Sequence, residues 1–304
     1  MKLITYHHQD DRVRTGVVVN QHVLDISDWI EAMPVSASVS SHHQRVGTAV
    51  PVGGILRWLS AGPQALAKLQ DHVAWGAVPQ AALAEVHLYA PVPRPGKIIG
   101  VGRNYADHAK ETGVAPFEKP RIIFKMSSSV VAPGAPVVRP AGVTKLDFES
   151  ELAVVIGALG RDIPESQALE HVAGYTVLND VSAREFQFDI SPAQTTFAKS
   201  MDGFCPMGPW LVTRDEVPDP QALEVSCWLN GARMQHGHTA DMLFPVKTLV
   251  AYVLQFMTLE PGDVITTGTP AGIGAFRQPP LYLQPGDELR LEVTGVGSMT
   301  HAIA

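Results

Sequence analysis

Three carboxylates, Asp147, Glu149 and Glu151, alternate through DFESELAVVIG (147–157) and lead into an apolar run. In a strand, side chains two apart share a face, about 7 Å between neighbours. Phe148, Ser150 and Leu152 then take the other face. Asp and Glu are poor strand formers, and LAVVIG is apolar on both faces, as a buried strand would be. Carboxylates gathered at the end of such a strand repel one another unless protons or a cation sit among them. Hard oxygen donors of this kind suit Mg²⁺, Mn²⁺ or Ca²⁺; a solvated charged face is the competing reading. A further oxygen ligand lies in VLNDVSAREFQ (177–187), where the apolar strand GYTVL runs into Asp180. Glu149, Glu151 and Asp180 could thus form an oxygen triad. Arg184 and Gln187 are three apart and share a face if this turn is helical. A guanidinium fork beside an amide would hold a carboxylate, although Arg184 alone equally suits a structural ion pair.

The elements that must position these residues are mostly strands. KIIGVG, RIIFKM, ELAVVIG, YTVLNDVS, PWLVT, EVSCWLNG, DVITTG and ELRLEV recur between Gly/Pro turns. That pattern predicts a rolled or barrel-like α+β fold, mainly β, rather than a doubly wound sheet. Helices are few: SQALEHVAG is short, and VKTLVAYVLQFMT is the clearest, stopped by LEPGD. Residues 1–90 read as a small separate α/β unit, with strands in LITYHH, RTGVVVNQHVLDIS and EVHLYA. A helical stretch, GILRWLSAGPQALAKLQDHV, is interrupted at Gly62–Pro63. SVSSHHQRVG (38–47) is polar and reads as a loop. The pairs His7–His8 and His42–His43 read as surface residues, since neighbours on a strand point to opposite faces. Prolines 91, 93 and 95 in PVPRPGKIIG mark the boundary, leaving 91–304 as the larger domain.

The 304 residues are 45% apolar and 17% charged, with 23 basic and 30 acidic side chains and a net charge of −7. A nucleic-acid partner held by bulk electrostatics is therefore not expected. No run of about 18 apolar residues predicts a membrane span. The start, MKLITYHHQDDR, turns polar too early for a secretory signal. Two cysteines, Cys205 and Cys227, suit a reducing cytoplasm, and Cys205, before Pro206, reads as structural.

Five segments in order resemble the fumarylacetoacetate hydrolase family: GVGRNYADHAKETG, DFESELAVVIG, VAGYTVLNDVSAREFQ, FAKSMDGFCPMGPWLVTRDEV and MTLEPGDVITTGTPAGIG. They run from about residue 95 to 300, roughly two thirds of the chain, and the first 90 residues look like the small domain of longer members. The resemblance implies a mixed β-roll catalytic domain with bound Mg²⁺ or Mn²⁺, held by Glu149, Glu151 and Asp180, with Asp147 outside the ligand set. It implies that His108 and Glu111 form the proton-transfer pair, on a segment that orders as a lid over ligand. A His–Glu pair at this spacing would otherwise read as a surface pair. It further implies that Lys199 and Lys125 lie near the site and that Thr269 in TTGTPAGIG faces the substrate's carboxylate end. Without it, Lys199 reads as a solvated lysine and the glycines as a turn. TTGTPAGIG is no phosphate loop, lacking the Gly-Lys-Ser/Thr ending.

The expected function is hydrolysis of a C–C bond in a 2,4-dioxo acid of acylpyruvate or fumarylpyruvate type, giving pyruvate and a carboxylic acid. His108 would activate water, Lys199 would add positive charge, and Arg184, Gln187, Lys125 and Thr269 would bind substrate. Isomerisation of 2-hydroxy-dienedioates, or oxaloacetate-type decarboxylation in aromatic catabolism, is the alternative. A non-catalytic ligand-binding relative is the second. A small 2-oxo acid is the expected partner, and the resemblance implies a homodimer. Phe186, Phe188 and residues 112–119 are the candidates for the acyl pocket.

Overall fold

The computed structural model describes residues 1–50, 53–62, 64–74, 80–111, 113 and 115–304. Pro63, and Thr112 and Val114 of the 112–119 segment, lie outside the described residues. The fold is α+β and mainly β, with two packed sheets and a short pair of Leu146–Asp147 with Ser182–Ala183 among the described residues. In the larger one, ten strands run in the order 80–82, 22–25, 14–19, 2–7, 205–213, 172–179, 150–156, 264–266, 98–102 and 121–125. His87–Tyr89 pairs with Lys2–His7, and Val130–Val131 with Cys205–Thr213. The smaller sheet places Ala232–His238, Glu224–Leu229, Glu288–Val293 and Gly297–Ala302 side by side, all antiparallel.

Ser150–Ile156 lies centrally and is buried along its whole length. Its alternation decides the layering, because successive side chains leave opposite faces. Leu152, Val154 and Ile156 pack with Tyr175, Val212, Leu291 and the helix Val246–Phe256. Ala153 and Val155 join Leu3, Val17, Ile55, Trp58, Ile98 and Leu211 in the second core. A strand coated on both sides is what the unbroken apolar run LAVVI demands.

Residues 1–90 are not a free-standing sheet. Lys2–His7 pairs antiparallel with Cys205–Thr213, and the boundary segment is tied in by Thr5 Oγ1 donating to the Pro91 carbonyl at 2.9 Å. The helical stretch breaks where expected, into Gly54–Ser60 and Ala65–Ala74. The loop expected over 38–47 is instead the helix Ala37–Val46, closed by Gly47 at φ 70°. Val39 and His43, one turn apart, are its buried residues. Two inward positions suffice because Gly47 supplies the left-handed stop. His42 and His43 are therefore not a strand pair. Their Nε2 atoms lie 3.4 and 3.3 Å from Glu260 Oε1, joining the N-terminal segment to the rest of the chain.

Candidate active site

Glu149 precedes Ser150–Ile156, Glu151 lies within it, and Asp180 follows Val172–Asn179 on the antiparallel neighbour. The pairing Ser150↔Asn179 brings the two strand ends together. One oxygen from each of the three carboxylates falls within 4.8 Å of the others, and all three residues are buried. The open end of this pair is tied together: Asp180 N–H donates to the Glu149 carbonyl, and Glu149 N–H to Asn179 Oδ1 at 3.1 Å.

Cations surround two of these carboxylates. Lys199 Nζ donates to Glu149 Oε2 at 3.0 Å, Asp180 Oδ2 at 2.7 Å and Ser182 Oγ at 2.8 Å. Lys125 Nζ donates to Asp180 Oδ1 at 2.7 Å and to the Phe204 and Lys199 carbonyls. The Arg184 guanidinium spreads over three acceptors: Asp147 Oδ2 at 2.8 Å, Glu149 Oε1 at 2.7 Å and Gln187 Oε1 at 2.7 Å. Gln187 lies in a single turn of π-helix, residues 185–189, and Arg184 caps its start, so the two side chains meet. Burial alone would raise the Glu149 carboxyl, but Lys199 and Arg184 hold it well below the usual carboxylate range. Glu151 has no such partner. The Thr266 hydroxyl and Gly268 N–H, at 2.8 Å, both donate to its Oε2. Burial, with the charges of Asp180 and Glu149, pushes its carboxyl well up.

The balance of charge tests whether a cation belongs here. Asp147, Glu149, Glu151 and Asp180 bring four negative charges against three positive ones from Lys125, Arg184 and Lys199. An ionised Glu151 is the surplus, and a hard divalent cation among carboxylate oxygens removes it. The donor set fits Mg²⁺ or Mn²⁺.

The Gly-rich turn after Val264–Thr266 supplies backbone donors. Gly268 N–H serves Glu151, Gly272 N–H reaches Glu111 Oε1 at 3.1 Å, and Gly274 and Ala275 N–H meet Asp147 at 2.8 and 3.0 Å. Gly268 and Gly272 stand at φ 90° and 105°, which glycine adopts without a Cβ penalty. Thr269 Oγ1 donates to the Ser150 carbonyl at 2.8 Å and accepts from Gln235 Nε2 at 2.7 Å. His108 and Glu111 stand on the short helix Ala106–Glu111. Nδ1–H of His108 donates to Glu111 Oε2 at 3.0 Å, because an ionised carboxylate only accepts. Asn104 fixes the helix entry by donating to the Phe244 and Thr267 carbonyls and accepting from Phe244 N–H.

A single pocket is lined by His108, Glu149, Asp180, Arg184, Gln187, Lys199, Thr269 and Phe188. Glu111, Glu151 and Lys125 stand behind that lining, each holding a residue in it. Phe186 packs edge-on against Phe197, 5.3 Å between ring centroids. Both cysteines are free and buried, and burial pushes the Cys205 thiol up to about 12.

Two supporting residues, Gln235 and His301, lie outside the motifs, and two within them, Asp147 and Asn179, take structural roles. Asp147 anchors Arg184 and the Gly-rich turn. Asn179 accepts from Glu149 N–H and donates through Nδ2 to His301 Nε2 at 2.9 Å. Gln235 accepts from Ser150 N–H at 3.0 Å. The signal for His301 is its place in the alternation Met299, His301, Ile303, all buried.

The family model described as fumarylacetoacetate (FAA) hydrolase, C-terminal, matches residues 97–304. Human oxaloacetate tautomerase FAHD2A, mitochondrial, is 46% identical over 220 residues, 72% of this chain and 70% of that protein. Among solved structures, the maleylpyruvate hydrolase of Sphingobium sp. SYK-6, in complex with manganese(II) ion and pyruvate, matches at a TM-score of 0.77 and 29% identity. It covers 100% of this chain and 99% of that one. The 2-hydroxyhepta-2,4-diene-1,7-dioate isomerase of Mycobacterium marinum matches at 0.73 and 30%, over 100% and 98%. Among the described residues, no helix is long and apolar enough to cross a membrane. With its C-terminal two thirds matching the family model and its acidic triad sunk at the end of the central strands, the chain belongs to the fumarylacetoacetate hydrolase family.

Proposed function

We propose that the chain hydrolyses the C–C bond of a 2,4-dioxo acid, releasing pyruvate and a carboxylic acid. The observation that carries this reading is a positioned base beside a buried oxygen triad: His108, fixed through Nδ1 by Glu111, lines the same pocket as Glu149 and Asp180. Glu111 fixes the tautomer, leaving Nε2 to take a proton, and stabilises the imidazolium that results. His108 removes a proton from water as the water oxygen bonds to carbon 4 of the substrate. The bond between carbons 3 and 4 then breaks, and its electron pair leaves with the three-carbon fragment as pyruvate enolate. His108 returns the proton to carbon 3, which completes pyruvate. The Mg²⁺ or Mn²⁺ that Glu149, Glu151 and Asp180 would hold supplies Lewis acidity for the charge on the 2-oxo acid. Lys199 adds a fixed positive charge in a water-poor site, where it is worth more than in solvent. Arg184, braced by Asp147 and Gln187, keeps the Glu149 carboxylate aimed.

The likeness to an oxaloacetate tautomerase favours a second reading, keto–enol interconversion of a 2-oxo dioic acid. It needs the same base and only a proton moved between carbon 3 and the enol oxygen. Acetylpyruvate, fumarylpyruvate and oxaloacetate, each with Mn²⁺, Mg²⁺ or a chelator, separate the two. Hydrolysis gives metal-dependent loss of enol absorbance with pyruvate released from a dioxo acid. Loss of enol absorbance without new pyruvate assigns the tautomerase instead. No change on any substrate overturns both in favour of a binding protein.

A further inference from the structure

Among the cationic groups that line the pocket, three are already engaged. Arg184 is taken by Asp147, Glu149 and Gln187, Lys199 by Glu149 and Asp180, and His108 by Glu111. Arg103 and Arg121 line the same pocket. Among the described residues, no carboxylate pairs with either; the group they share is the Phe117 ring, whose centroid lies 5.6 Å from Arg103 Cζ and 5.8 Å from Arg121 Cζ.

The backbone places them together. Arg121 opens the strand Arg121–Lys125, and its register partner is Gly102, the residue before Arg103. The Arg121 stem passes over that glycine: a Cβ at position 102 would lie 3.5 Å from Arg121 Cδ and 3.1 Å from Ile123 Cδ1. A side chain at 102 would crowd Ile123 and touch the Arg121 stem, so the stem runs alongside the residue before Arg103. Arg103 itself stands at φ 56°, a backbone region uncommon for a side chain without local polar groups to support it. Burial, with the charge of Arg121, pushes the Arg103 guanidinium below its ordinary value. Two like charges lining one pocket, with no carboxylate partner among the described residues, are relieved by an anion from outside.

We propose that Arg103 and Arg121 form a subsite for the distal carboxylate of a 2-oxo dioic acid, so that the preferred substrates are dianions. This rests on the reading of the neighbouring triad and base as a 2-oxo acid site, and it names the substrate class that the site selects. Two planar forks match one carboxylate, and each charge-assisted contact is stronger than a neutral one. A substrate with an acyl end lacking that carboxylate leaves both charges unpaired.

Calorimetric titration of the Mg²⁺-loaded protein with 2-oxoglutarate and with 2-oxopentanoate isolates this contact, since the two acids share a five-carbon chain and differ in the distal carboxylate. The wild type binds 2-oxoglutarate at least roughly 10-fold more tightly. Arg103→Gln and Arg121→Gln each remove most of that preference while leaving 2-oxopentanoate within about twofold, and Arg103→Lys keeps part of it. The exposed Arg121 serves where the Arg103 variant fails to fold. Equal affinity of the wild type for both acids, equal losses for both in the variants, or binding of neither overturns the subsite. The turnover assays decide the reaction separately: charge discrimination without turnover leaves the subsite standing and removes the hydrolase reading.

Discussion

Glu151 is the carboxylate in the cluster without an ammonium or guanidinium of its own, and its neighbours explain why the others tolerate burial. Glu151→Gln keeps the volume and removes one charge, so Mn²⁺ affinity should fall at least about tenfold by calorimetry. Glu149→Ala acts differently. It deprives Arg184 and Lys199 of a partner, leaves buried charge uncompensated, and should cost about 3 kcal/mol in denaturant unfolding while abolishing metal-dependent turnover. Full activity and metal occupancy in that variant would remove Glu149 from the site. His301 offers a pH test. Burial pushes its imidazole down from 6.5 to about 4, and Nδ1 has no partner among the described residues. Between those values the unfolded chain binds a proton that the folded one refuses. The His301 contribution is therefore whole above pH 6.5 and falls by about 3 kcal/mol as pH drops to about 4. Urea unfolding at pH 7.5 and 4.5 should show His301→Gln losing less than wild type by about that amount. Spacing made the carboxylates candidates for an oxygen triad, and the shared motifs selected among them. His301 was not legible, because its neighbour Asn179 is 122 positions away and only the pairing of distant strands joins them.

At the scale of elements, the Gly-rich turn does more than reverse the chain. Its N–H groups reach Glu111, Glu151 and Asp147, so one turn aligns the base, the triad and the anchor of Arg184. A Cβ at Gly274 would overlap the Leu281 carbonyl oxygen and lie 2.7 Å from Asp147 Oδ1. Gly274→Ala should lower stability by about 2 to 3 kcal/mol, seen as a fall in thermal midpoint, and should lower turnover through Arg184. An unchanged midpoint would mean the turn yields without cost. The strand ELAVVIG, the helix VKTLVAYVLQFMT and the turns were readable, since an apolar run and a 3.6-residue period are local signals. The strands ARMQHGH and GSMTHA, which carry Gln235 and His301, were not read from sequence. Their polar residues hide an alternation that shows only once the smaller sheet covers one face.

The whole molecule decides what residues 1–90 are for. Their apolar side chains cover Ala153 and Val155, on the reverse face of a strand that ends in the triad, and Met207 and Leu211 two strands away. Glu260, met by His42, His43 and Lys97, adds a polar clasp. Removing 1–90 uncovers that face and the edge of Cys205–Thr213, so the truncated chain should aggregate on size exclusion and bind a hydrophobic dye. A folded, monodisperse fragment would show the small unit to be dispensable. Residue chemistry and short-range period suggested an oxygen triad and the mainly-β class, because like charges at one strand face and alternating strands are local constraints; the ordered motifs shared with the family, not spacing, singled out Glu149, Glu151 and Asp180 and gave His108 and Glu111 a role. Tertiary structure alone assigned Arg184 to Asp147 and Glu149, left Arg103 and Arg121 uncompensated, and fused the small unit to the main sheet. Each of those depends on which charge meets which across strands far apart in the chain, and pairing in space carries no signature in local composition.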